Sequence, residues 1–396
     1  MVNRSCLLLV MALFASACTV DRTERQEAAM HQYALNIRVD TFPVPTDEKT
    51  EMIMQLISSD TTSYPGWIER RGGYSISFPK FSYEIDLETD IPLGGLPADD
   101  DWILNSNYID KTFLRHVLSY ELFRAMHPNN RAPLCSYLPL YINSSYAGLY
   151  VLMEKIDRSS LGIHKKDPAA FIFKEPPLFR PDWSNFVAQK EDNFFQQTYP
   201  KKTVVDKTAE MDVLRDWVMN SPDSSFLEKC TVIFDLANVI DWHLLLLLSN
   251  NSDGILKNFY LYKVSAETPI RIAPWDYDHS FGRDGDNELN LIRPLRIEIS
   301  AFFKRLLTFP AYKKALANRW EELNEQDLFT PSSLKERMHG LVQTFQPLLA
   351  ANFARWPVDG PHYYDNNDFE QELALMEQFI DLRHEQLQIY FTEVSR

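Results

Sequence analysis

Two stretches of this chain carry residues whose types and spacing could move a phosphoryl group: SNNSDGILKNFYLYK at 249–263 and RIAPWDYDHSFG at 271–282. Asp253 stands five residues before Asn258, and a pair of apolar runs then leads to Asp276 and Asp278. Phosphoryl transfer asks little covalent chemistry of a protein. It needs a carboxylate to orient the attacking hydroxyl and oxygen ligands to hold Mg²⁺ against the phosphates. Asp253 is the candidate for the first task, and Asn258, Asp276 and Asp278 for the second. The apolar runs read as a β-hairpin, which would bring the later carboxylates back beside the earlier one. Asp276 follows the strand-like RIAPW directly and is the better Mg²⁺ ligand. Asp278 shares a site with it only where the strand ends, and otherwise caps the next turn. The same carboxylates would also suit a structural Ca²⁺ site, and Asp253 and Asn258 would equally serve as loop caps.

Basic groups for a nucleotide come earlier. Lys80 follows a small-residue turn and enters a strand, the place for a lysine that contacts phosphate, or for a solvated one on a sheet edge. Arg71 precedes Gly72 and Gly73, where backbone N–H groups could approach an anion, although a plain hairpin turn has the same composition. Asp110, Lys111 and Arg115 fall within about one and a half helical turns and read as a capping and ion-pair cluster. Other chemistries fail on spacing. The nine His form no H-E-x-x-H, and C-x-x-C, G-x-S-x-G and G-x4-G-K are absent. Two carboxylates could serve a glycosidase, but Asn258 and the hairpin have no task in that scheme.

The elements that must position these groups can be sketched from periodicity. YALNIRVDTF at 33–42 alternates as a strand, and WIERRGGYSISF with FSYEIDLE suggests a further strand pair. LPADDDW at 96–102 reads as a loop and helix start. Residues 109–126 carry Phe113, Val117, Tyr120, Leu122 and Ala125 at helical spacing, stopped by His127–Pro128. Residues 136–156 read as a hairpin turning over Asn143 to Gly148. The Pro-, Lys- and Asp-rich stretch from about 157 to 225 is expected to hold surface insertions around one short strand, 171–174. VIDWHLLLLLSNN at 239–251 is a buried helix too short to span a bilayer, and 300–394 is helical in pattern. Strands first and helices after give an α+β chain. The expectation is two lobes, β-rich then helical, with the ligand in the cleft between them.

The N-terminus has its own logic. One Arg, an apolar run from Cys6 to Phe14, and Ala15–Ser16–Ala17 before Cys18 make a secretory signal over 1–17. Small residues ending at a Cys resemble a bacterial lipoprotein signal, which leaves Cys18 lipidated at the new N-terminus and 18–30 as a tether. The alternative is ordinary cleavage and a soluble secreted protein. Removing Arg4 with the signal takes the net charge from −15 to −16, which argues against nucleic acid as a partner and against adhesion to anionic lipid. Membrane attachment would therefore come from the lipid, in the outer membrane if the host is Gram-negative. Cys135 and Cys230 remain, as one disulfide or, the preferred reading, two free thiols. At 45% hydrophobic and 13% aromatic, the mature chain can bury a large core.

The five-residue step from Asp253 to Asn258 matches the D-x-x-x-x-N of the protein-kinase catalytic loop. RGGYSISFPKFSYEIDL (71–87), DDWILNSNYIDKTFLRHVLSYEL (100–122), LYINSSYAGLYVLMEKID (140–157) and the two segments above resemble, in order, those of the CotH family, the spore-coat-protein-H-like atypical protein kinases. RW at 319–320 and 355–356 is similar to its helical tail. The resemblance covers nearly all of the mature chain. It departs at His116, where the family often has Asn, at Ser144 in place of a turn Gly, and at Phe81 in place of a second Lys. It implies a kinase-like domain over 31–394, with an N-lobe to about 156, an insertion to about 225 and a C-lobe beyond. Implied too are ATP and Mg²⁺ as cofactors, a protein Ser/Thr acceptor of unknown identity, Glu154 near the adenine and Glu121 as partner of Lys80. The competing expectation is an exported binding or assembly protein that keeps the fold without turnover, since ATP is scarce outside the cytoplasm.

Overall fold

In SYEIDL (82–87) every second side chain, Tyr83, Ile85 and Leu87, is buried, the alternation of a strand with one face on a core. Seven strands build the first of two units in this computed structural model: β1 (Ala34–Arg38), β2 (Thr50–Ile57), β3 (Thr62–Arg71), β4 (Ser82–Pro92), β5 (Ala98–Asn105), β6 (Cys135–Ile142) and β7 (Ser145–Glu154). Residues 34–46, 48–57, 62–163, 167–181, 195–283, 293–363 and 365–394 are described; the signal, the tether and Cys18 lie outside them. The strands close a barrel in the order β1-β2-β3-β4-β5-β7-β6. Closure comes from the parallel pairing of β1 with β6, Leu35 opposite Leu140 and Ile37 opposite Ile142, while the other pairs are antiparallel. A closed sheet leaves no edge to pair with another chain.

Two expectations are corrected in this unit. Residues 98–105 form β5, not a helix start. The Asp99 carboxylate accepts the N–H groups of Asp100 and Asp101, and the strand is then fixed by partners distant in sequence, Trp102 facing Ile85 and Glu154. The β6–β7 turn is only Asn143–Ser144, both at positive φ, so Tyr146 to Gly148 are already strand. That is the geometry of a two-residue primed turn.

The unit also takes in Gly340–Pro361, but not Ile109–Leu134. The division expected near residue 156 is therefore not how the chain partitions. Within it the end of a long helix, Pro331–Arg355, is tied to β7, where Asn352 Oδ1 accepts the Leu149 N–H at 3.1 Å and Trp356 Nε1 donates to the Ala147 carbonyl at 2.8 Å.

The second unit comprises Ile109–Leu134, Lys155–His339 and His362–Arg396. Its strands β8 (Phe171–Lys174), β9 (Gln197–Tyr199), β10 (Phe259–Lys263) and β11 (Arg271–Pro274) form an antiparallel sheet in the order β11-β10-β8-β9. Its helices are α1 (Arg115–Met126), α2 (Thr208–Asn220), α3 (Asp223–Ile233), α4 (Leu236–Ser249), α5 (Ala301–Leu306), α6 (Pro310–Glu325), α7 (the helix Pro331–Arg355, shared with the first unit) and α8 (Phe369–Val394). Asp235 caps α4 by accepting the Asn238 N–H, and Asn250 ends it in the left-handed conformation at φ 55°. Between these caps all residues from Asn238 to Ser249 are buried, as an apolar run of this kind requires.

The stretch from about 157 to 225 is not made of surface insertions alone. Its described parts carry core: Phe179 stacks on Phe302 with ring centres 4.7 Å apart and on Phe259 at 5.7 Å, and Trp217 stacks on Phe226 at 4.8 Å. Cys135 is half-buried, and Cys230 is a buried thiol. None of the described helices is long and apolar enough to cross a membrane.

Candidate functional site

The hairpin read from sequence forms as β10 and β11, with Phe259 opposite Pro274 and Tyr260 opposite Ala273. The residues flanking it, Asn258 before β10 and Asp276 after β11, both adopt left-handed backbone, at φ 60° and 57°. Each such L-residue costs about 1–2 kcal/mol, less for Asn and Asp, so the surrounding structure must hold it. Asp276 is held at three points. Its N–H donates to the Tyr120 hydroxyl at 3.0 Å, its carbonyl accepts from Asn258 Nδ2 at 3.1 Å, and its carboxylate meets His116 Nε2 at 3.2 Å. His116 and Tyr120 are one turn apart on α1, so a single helix face grips both ends of one aspartate.

Because β11 ends at Pro274, the chain is free to turn and both carboxylates can face one place. The ligand atoms of His116, Asp276 and Asp278 lie within 4.8 Å of one another. Asp278 also accepts the N–H of His279 at 3.0 Å, so the capping role and the cluster role coexist in one carboxylate. Burial and the neighbouring Asp276 push the Asp278 carboxyl above its ordinary value. Burial lowers the His116 imidazole, but Asp276, Asp278 and Asp110 outweigh it and the net direction is up. His116 is 2% exposed and its Nδ1 has no hydrogen-bond partner among the described residues, whereas the Asp276 side chain is 49% exposed. A half-exposed Asp276 carboxylate beside the more buried Asp278 suits a divalent cation.

Asp253 begins a single 3-10 turn, Asp253–Ile255, and its carboxylate pairs with Lys257 at 2.9 Å. Gly254, next along, presses on α4: a Cβ there would come 2.7 Å from Leu246 Cδ2. Lys257 in turn acts on Glu175, whose carboxyl is raised by burial first and then by Asp276. Glu175 is anchored by its N–H on the Phe259 carbonyl at 2.8 Å. Asp253, Lys257, Glu175, Asn258 and Asp276 therefore share one end of the sheet. Sequence reasoning missed His116 as a site residue and Glu175 altogether. The first was visible only as a departure from a pattern, and the second gains meaning from β8 pairing with β10. The role that the geometry gives Asn258 is to hold the backbone of Asp276.

Below the cluster, Arg115 donates Nε to the Ser280 carbonyl at 2.9 Å and pairs with Asp110 at 2.5 Å and Glu372 at 3.2 Å. Arg283 joins Glu372 and Asp365, and Lys111 reaches Asp365 at 3.3 Å. Burial opposes ionisation of Asp110 and Glu372, yet the arginines win and hold both carboxyls below their usual values. This network fixes the segment after Asp278 against the start of α1.

The remaining candidates belong to the first unit. Lys80 is 1% exposed, not a solvated edge residue. Its ammonium donates to the Ser106 carbonyl at 2.7 Å, the Leu149 carbonyl at 2.5 Å and Asn352 Oδ1 at 3.2 Å, over the Tyr150 ring. Burial pushes its pKa well below the ordinary lysine value. An ammonium has three donors, and these bonds use them, so Lys80 joins the barrel to the end of α7. Arg71 closes β3 opposite Ser82, followed by Gly72 at φ 132°, where a Cβ would sit 2.3 Å from Ser75 Oγ. Glu154 ends β7, five residues beyond Leu149, hence about 16 Å along the strand from the carbonyl that holds Lys80. Glu121, in the second unit, is raised by burial and lowered by Arg124 and Arg337. A cavity of about 740 Å³ in the first unit, lined by Arg38, Glu51, Trp67 and Glu88 among others, contains none of the candidate residues.

A sequence profile described as CotH kinase protein matches residues 68–387. Inner spore coat protein H of Bacillus subtilis (strain 168) is 23% identical over 287 residues, which is 71% of this chain and 77% of the relative. Among solved structures, that of a Helicobacter pylori proinflammatory kinase, CtkA, aligns at 8% identity over 79% of this chain and 94% of the other. Its TM-score of 0.31 is too slight to bear on fold or function. The profile runs from within β3 to within α8 and so takes in both units: this chain, mixed α+β in structure, belongs to the CotH family.

Proposed function

We propose that this protein is an ATP-using, Mg²⁺-dependent phosphotransferase of kinase-like, two-lobed type that acts on protein Ser/Thr hydroxyls. We further propose that it is exported and held in a bacterial cell envelope through lipidated Cys18. The observation that carries the catalytic reading is the three-point grip on Asp276, which aims its carboxylate beside that of Asp278 at the end of the β10–β11 hairpin. A protein spends strained backbone and three hydrogen bonds on one aspartate where its position matters. Bound there, Mg²⁺ supplies charge neutralisation to the transferring phosphoryl oxygens.

The chain's own groups divide the remaining work. Asp253 accepts or orients the proton of the acceptor hydroxyl, and Lys257 at 2.9 Å holds its carboxylate in place. Asp276 and Asp278 take the cation, with Asn258 fixing the first of them. Arg71, with the backbone N–H groups beside Gly72 and Gly73, and Glu154 are the first unit's candidates for nucleotide. Lys80 remains the candidate phosphate contact only if it gives up one of its three present acceptors.

That condition is the specific observation favouring a second reading, an exported binding or surface-assembly protein without turnover. Calorimetry with ATP and Mg²⁺ separates the two. Micromolar binding that Asp276→Asn abolishes supports the phosphotransferase. No heat at millimolar nucleotide removes it and leaves the binder.

A further inference from the structure

We propose that His116 is a direct ligand of the cation held by Asp276 and Asp278, and that the site therefore takes a first-row transition dication such as Mn²⁺ in preference to Mg²⁺. The inference rests on the reading of Asp276 and Asp278 as a cation site.

Geometry comes first. Metal–ligand bonds of about 2.1–2.2 Å set adjacent ligand atoms about 3.0 Å apart in an octahedral shell. His116 Nε2 and Asp276 Oδ1 are 3.2 Å apart, close to that edge, and all three ligand atoms fit within 4.8 Å. Small adjustments of the two aspartates, of which Asp276 is half-exposed, would complete the set. The imidazole cannot leave: it is 2% exposed, rooted in the first turn of α1, with the Tyr120 ring centre 5.9 Å away. Cation binding through Nε2 would replace its hydrogen bond to Asp276 and leave the ring proton on Nδ1, which has no partner among the described residues.

Donor chemistry gives the selectivity. Mg²⁺ demands oxygen ligands and sheds water reluctantly, whereas a neutral imidazole nitrogen is a good ligand for first-row transition metals. One nitrogen and two carboxylates also neutralise a dication's charge. A site meant for Mg²⁺ alone would use that nitrogen only to orient Asp276. The alternative role for His116 is to donate a hydrogen bond to Asp276 and orient it without touching the cation. That arrangement would leave Mg²⁺ and Mn²⁺ on oxygen alone.

The two roles differ in whether nitrogen reaches the metal, and that can be observed directly. Mn²⁺ is titrated into the purified full chain while the electron paramagnetic resonance of the free aquo ion is followed. The bound ion is then examined by pulsed methods for ¹⁴N coupling. The expected result is one tight site with imidazole nitrogen coupling, from which Mg²⁺ displaces Mn²⁺ only at about 100-fold excess or more. His116→Asn should abolish the coupling and weaken Mn²⁺ about tenfold or more while changing Mg²⁺ affinity less. The wild-type spectrum decides the matter even if that variant folds poorly. Mn²⁺ bound in an Asp276-dependent way without nitrogen coupling overturns the role of His116 and leaves the cation site standing. Failure to bind Mn²⁺, or binding unchanged in Asp276→Asn, overturns both.

Discussion

Single residues explain why several sequence signals are where they are. Gly148 lies at φ 134°, and a Cβ there would come 2.9 Å from both Lys80 Cε and Trp356 Nε1 and 3.1 Å from Asn352 Oδ1. The glycine in the segment AGLY thus makes room for the buried ammonium and for the helix end that it fastens. Gly148→Ala should cost about 3 kcal/mol, because strained backbone and overpacking add. Urea denaturation of the purified variant measures this, and a loss below about 1 kcal/mol would contradict the packing described. His243 offers a second test. It is fully buried, with Nδ1 3.0 Å from the Tyr312 hydroxyl, and burial pushes its pKa down to about 3. Folded His243 thus binds a proton less readily than the unfolded ring near 6.5, so its stability contribution is intact above 6.5 and falls as pH drops toward 3. At pH 5 the loss from this group is about 2 kcal/mol. The depressed Asp110 and Glu372 carboxyls act in the same direction below about pH 4, while the raised His116 opposes them. Denaturation curves at pH 7 and pH 5 should show the protein less stable at pH 5, and equal stability would count against a neutral buried His243.

At the scale of elements, α1 and the β10–β11 hairpin form one device. The hairpin was legible in sequence because two β-rich runs enclose a polar turn, and α4 was legible because its apolar run is continuous. What α1 does was not legible. Its apolar spacing predicts a helix but says nothing of His116 and Tyr120 meeting Asp276, 160 and 156 residues away. Strand β5 was misread for a related reason: three consecutive aspartates look like the start of a helix, and only pairing with β4 and β7 makes them strand. Tyr120→Phe tests the device. Losing the hydroxyl that accepts the Asp276 N–H should cost about 1 kcal/mol of stability, while cation affinity falls about tenfold because the carboxylate loses its anchor. Calorimetric titration of the divalent cation measures the second effect. Unchanged affinity would mean that α1 merely packs against the hairpin.

For the whole molecule, the order of strands and helices in the sequence conveyed the α+β class but not the partition. The first unit borrows Gly340–Pro361, and the second claims Ile109–Leu134. Contiguous reading cannot anticipate such exchanges, because the ties responsible, such as Lys80 to Asn352, join residues 272 apart in sequence. Phe179 and Trp217 in the supposed insertion were overlooked because Pro, Lys and Asp dominate the composition around them, hiding aromatic residues that reach the core. Export is a separate proposition, resting on Arg4, the apolar run Cys6–Phe14 and Ala15–Ser16–Ala17 before Cys18. Cys18→Ser should move the expressed protein from the membrane to the soluble fraction and end palmitate labelling, since a stable anchor needs more than one acyl chain. Persistence with membranes, together with an unlabelled native chain, would point to ordinary cleavage. The central claim is phosphoryl transfer from ATP at the carboxylate cluster, and its most direct test is label transfer from γ-³²P-ATP with Mg²⁺ or Mn²⁺ to the protein itself or to a generic Ser/Thr-rich acceptor. The account predicts transfer by the wild type and none by folded Asp253→Ala or Asp276→Ala. Transfer at the wild-type rate by the double variant would contradict it.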